Sequence, residues 1–103
     1  RNKRHKFKLT ASLIGQLNLP EVQTREAIEL AMGEDADRYN SYGAWEALAL
    51  ASVCYVVNQY RQRYEYFEYQ DRIEEDEKFK ELVERHDVDI IPAKKKLRRR
   101  MNE

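Results

Sequence analysis

The stretch Ala44-Trp45-Glu46-Ala47-Leu48-Ala49-Leu50-Ala51-Ser52-Val53-Cys54-Tyr55-Val56-Val57 decides the fold. Read as a helix it is apolar almost all round, and such a helix has to be enclosed by its neighbours. Ala44, Ala47, Ala49, Ala51 and Ser52 are small, which lets those neighbours approach closely, so the helix belongs at the centre of a bundle. Trp45, Leu48, Ala51, Tyr55 and Val56 carry it to about Arg61, and Ser41 is placed to cap its start. The apolar run from Ala47 to Val57, interrupted by Ser52, is too short for a bilayer crossing of roughly 20 helical residues.

Upstream, Leu9, Leu13 and Leu17 recur at helical spacing with Ile14 beside them, which predicts a first helix over about Phe7 to Leu17, ending near Asn18. Pro20 suits the first turn of a second helix, whose apolar residues are Val22, Ile28, Leu30 and Ala31 and which Gly33 stops. Glu34 to Tyr42 is polar and rich in turn formers, so it reads as a loop with at most one helical turn. Downstream, residues 64–78 form an acidic, tyrosine-rich connection, read as a helix extension followed by an exposed link. A short helix follows from Phe79 to His86 with Phe79, Leu82 and Val83 on one face. Asp87-Val88-Asp89 breaks the pattern, and a last helix carries Ile90, Ala93, Leu97 and Met101 as its stripe, with Pro92 tolerated in its first turn. Two short helices joined by such a turn around a buried Val outline a helix-turn-helix. The predicted core is Leu13, Leu17, Ile28, Leu48, Ala51, Tyr55, Leu82 and Leu97.

Length and composition agree with one helical domain. The chain has 103 residues, 42% hydrophobic and 37% charged, with only three Gly and two Pro. That is enough apolar material for one core, and too few turn residues for a protein of many short strands. Collagen-like, membrane-spanning and fully disordered classes are excluded. The single Cys54 forbids an intrachain disulfide and fits a reducing compartment, cytoplasmic or nuclear. It reads as a small buried hydrophobe. His5 and His86 stand apart from any metal-ligand spacing and read as surface residues, so no metal or other cofactor is expected. Without an initiator Met, the basic start at Arg1 reads as the edge of a longer chain.

Formal net charge is zero, but the charges are segregated. Arg1, Lys3, Arg4, Lys6 and Lys8 crowd one end and Lys94, Lys95, Lys96, Arg98, Arg99 and Arg100 the other, while more than half the acidic residues fall between Glu65 and Asp89. If the apolar stripe of the last helix faces the core, those six terminal cations fan into solvent as a nucleic-acid-binding face. The competing reading is a solvated helix whose cations favour its C-terminal dipole and meet acidic neighbours such as Glu74 to Glu77. Tyr64, Tyr66 and Tyr69 alternate with Glu65, Glu68 and Asp71, and those carboxylates would repel phosphates, so this segment fits a protein-facing surface better than a base-stacking one. No phosphate loop, zinc-protease motif or nucleophile elbow is present, and a non-enzymatic role is expected.

Leu17-Asn18-Leu19-Pro20, a second helix, the loop to Gly43, and then Glu46-Ala47-Leu48-Ala49-Leu50-Ala51 running to Tyr55 resemble one cyclin-like repeat of the archaeal and eukaryotic transcription initiation factor B family. Glu81-Leu82-Val83, Val88-Asp89 and the helix to Met101 resemble that family's closing helix pair. Tyr42-Gly43-Ala44 stands where the family often has Gly-Arg-Ser, and the stretch from Arg61 to Lys78 is longer than its usual link. The resemblance implies an all-α, cyclin-like five-helix bundle ending in a helix-turn-helix-like pair. It also implies a transcription role: contact with promoter DNA, and with TATA-binding protein or RNA polymerase. The alternative is a cyclin-like protein-interaction adaptor that does not touch DNA.

Overall fold

The computed structural model describes residues 3–63 and 71–102. They form α1 (Lys3–Gly15), α2 (Glu21–Met32), a 3₁₀ helix (Ala36–Tyr42), α3 (Ala44–Arg63), a short 3₁₀ turn (Ile73–Glu75), α4 (Glu77–Arg85) and α5 (Ile90–Met101), with no strand among the described residues. None of these helices is long and apolar enough to cross a membrane. The all-helical expectation holds, and α3 is the central element, packed on by α1, α2, α5 and the Ala36–Tyr42 helix. From Ala47 to Cys54 every residue of α3 is buried. Six of the eight predicted core residues are buried outright, while Leu17 and Tyr55 pack against the core half-buried.

Several boundaries and faces differ from the sequence reading. In α1 it is Thr10, not Leu9, that turns inward with Leu13 and Ile14, leaving Leu9 exposed. The inward positions are spaced by three and four, whereas the Leu9–Leu13–Leu17 spacing of four drifts off the contact face. Pro20 caps α2 from just outside it, its carbonyl accepting the Thr24 N–H at 3.0 Å. Val22 and Met101, near the start of α2 and the end of α5, are exposed because those turns overrun the core.

Ser41 does not cap α3. It lies inside the 3₁₀ helix, and the chain enters α3 through two left-handed residues, Gly43 (φ 123°) and Ala44 (φ 60°). A Cβ at Gly43 would sit 3.3 Å from both Cα and Cγ2 of Val88, so this position needs glycine for its backbone and for its clearance. The close approach lets Tyr42 accept the Asp89 N–H at 2.8 Å, which fixes the turn that starts α5.

The connection expected to be exposed is tied down over its described part. Asn58 on α3 accepts the Ile73 N–H at 2.8 Å and donates to Glu74 at 2.9 Å, while Ile73 itself is buried. Arg61 reaches the Asp71 carbonyl and forks onto both carboxylate oxygens of Asp76 at 3.0 and 3.3 Å. A side chain that supplies the missing partner of a loop backbone group removes the cost of burying that group, which is why one apolar residue suffices to seat this segment.

Candidate nucleic-acid interface

Helix α5 owes its orientation to Ala93 and Leu97, which are fully buried against α3, with Ile90 half-buried beside them. Its main neighbours are α3 and the 3₁₀ helix, whereas α4 rests on the Ile73–Glu75 turn. The join between α4 and α5 runs through left-handed Asp87 (φ 54°) and buried Val88, whose N–H returns to the Val83 carbonyl at 3.0 Å. A helix turns by about 100° per residue, so with Leu97 inward the neighbouring residues are distributed unequally around the axis. Lys95 and Arg99 fall on the far side, Lys96 and Arg98 on the two shoulders, and Lys94 and Arg100 on the flanks that meet the body.

The structure separates the six predicted cations accordingly. Lys94 pairs with Glu74 and Arg100 pairs with Glu34, its Nε donating at 2.9 Å. Both carboxylates are largely shielded, so these two cations hold the helix at its two ends and do not fan into solvent. This corrects the expectation of a six-cation face. Lys95, Lys96, Arg98 and Arg99 form no ion pair with a described carboxylate, and Lys95, Arg98 and Arg99 are exposed. Four side chains therefore remain for an external anion. Tyr64, Tyr66 and Tyr69, the predicted protein-facing residues, lie outside the described residues.

The clamps have an electrostatic signature. Burial by itself would raise the Glu74 carboxyl, but donation from Lys94 and Asn58, with its own backbone N–H, outweighs it and holds the group at about 2, below its ordinary 4.5. A carboxyl depressed on folding contributes stability that is present above about pH 4.5 and lost as pH falls through about 2. Glu74→Gln should therefore cost about 1–2 kcal/mol near neutrality, discounted for the solvent this cluster still touches. Denaturant titrations should show the gap from wild type closing between those two pH values; a gap unchanged down to the lower one would remove the clamp.

Sequence reasoning missed Glu34 and Tyr39. Tyr39 is fully buried, its hydroxyl donates to Glu34 at 3.2 Å, and its ring meets Tyr42 edge-on with centroids 6.4 Å apart. Burial, with Glu34 alongside, pushes its phenol up to about 12. The available signal was the spacing Ala36–Tyr39–Tyr42, the three-residue period of a 3₁₀ helix. His86 is another correction: it closes α4 half-buried, with Nε2 enclosed and lacking a hydrogen-bond partner among the described residues. Cys54 is buried and free, and burial pushes its thiol up, which keeps it an unreactive packing group. Comparison with family models, curated proteins and solved structures finds no match to this chain.

Proposed function

We propose that this domain is a non-enzymatic transcription-factor module, of the cyclin-like kind its sequence resembles, that holds duplex DNA by its phosphates through α5. One observation carries the reading: Lys95, Lys96, Arg98 and Arg99 share the outer half of a helix whose inner half is locked to the core, and no described carboxylate neutralises them. The order α4, a turn around buried Val88, α5 supports it further, because a rigidly seated second helix is what presentation to a groove requires. Such contacts position a protein on the duplex without reading sequence. The zero net charge limits long-range attraction, so affinity should be that of non-specific contacts, about 10⁻⁴ to 10⁻⁶ M at physiological salt.

Salt dependence tests this directly. With four cations on four phosphates, log K should fall against log salt with a slope of about −3.6. Titration of a labelled duplex at several salt concentrations measures it. No binding at low salt, or a slope near zero, would mean that the face is only solvated.

A further inference from the structure

We propose that the recess between α3 and α5 is a binding site for a phosphate monoester, adjoining the duplex-facing side of α5 and sharing Arg98 with it. The recess exists because the α3 residues at its floor, Ala51 and Cys54, are small and leave about 340 Å³ open, a volume within the range of small-ligand pockets. Along the same face of α3, Tyr55, Asn58, Gln59 and Gln62 form one wall, and Arg72, Lys94 and Arg98 face it. Among the described residues that line the recess, none is acidic.

Charge selects the ligand. Glu74, behind the wall, pairs with Lys94 and also takes Arg72 at 3.3 Å, so one carboxylate is set against three cations. Among the described residues the excess is about two positive charges, which matches a phosphate monoester at −1.5 to −2 near neutral pH better than a diester at −1. Arginine's planar fork suits two phosphate oxygens at once, and the amides of Gln59 and Gln62 add neutral donors for the group the phosphate carries. The monoester could belong to a free nucleotide or to the 5′ end of a strand, and the two share this recognition.

The full chain, labelled with ¹⁵N, should be titrated with AMP, adenosine and cyclic AMP. AMP should saturate and shift amides of residues 51–62 and 94–98, binding at least roughly fivefold tighter than adenosine or the cyclic diester. A 5′-phosphorylated dinucleotide that displaces AMP would make a strand end the source; failure to displace it would make the source a free small molecule. Arg72→Gln with Arg98→Gln should weaken AMP about tenfold or more with the melting temperature kept, since both side chains are exposed. Lys95→Glu with Arg99→Glu should spare AMP while weakening duplex binding, so the two readings fail separately. Absence of saturation, equal binding of adenosine, or an unchanged Arg72/Arg98 double variant would overturn the site.

Discussion

Tyr39→Ala is expected to be among the most destabilising single changes in this domain, costing about 3–5 kcal/mol, the range for deleting a fully buried aromatic ring. The ring is completely enclosed beneath the 3₁₀ helix and touches the entry to α3, the region against which α5 also packs. Its hydroxyl shares Glu34 with Arg100, so truncation also removes one partner from the carboxylate that holds the end of α5. Tyr39→Phe separates the two contributions. It keeps the ring, loses one hydrogen bond, and should cost only about 1 kcal/mol because Arg100 still satisfies Glu34. For a chain of this size the alanine variant should melt more than about 12 °C lower and the phenylalanine variant about 4–8 °C lower. Similar melting temperatures for the two would show that the ring contributes little.

The second large effect is on binding. Reversing Lys95, Arg98 and Arg99 to Glu should lower duplex affinity at least about a hundredfold, since three phosphate contacts become three repulsions. All three side chains are exposed and lie off the stripe of Ile90, Ala93 and Leu97, so the circular dichroism spectrum and melting temperature should be nearly unchanged. Charge reversals at Arg25 and Arg38, exposed on other elements, serve as the control and should alter affinity by less than about threefold. Equal losses in both variants would mean that overall charge, not the α5 face, governs association.

What could be read in the sequence followed from how strongly each segment repeats. The α3 run and the stripes of α4 and α5 announce themselves because each places several apolar residues at helical spacing. The 3₁₀ helix did not, since seven residues with one fully buried ring give too short a pattern to stand out from a polar loop. The same limit hid Ile73, a lone apolar residue whose place is set by Asn58, fifteen positions earlier. At the candidate interface, the cations were legible but their division was not. Lys94 and Arg100 are indistinguishable from their neighbours by residue type, and only the fold brings Glu74 and Glu34 to them, from 20 and 66 positions away.

The hydrogen bonds of Asn58 and Arg61 to residues 71–76 bear on chain entropy as well as on packing. They bring the end of α3 and the start of the Ile73–Glu75 turn together by contacts that lie wholly within the described flanks. For a flexible loop whose two ends are held in this way, closure entropy grows by only about 0.6 kcal/mol with each doubling of its length. The turn at Gly43 is the opposite case: wedged against Val88, it leaves no room for an added side chain or residue.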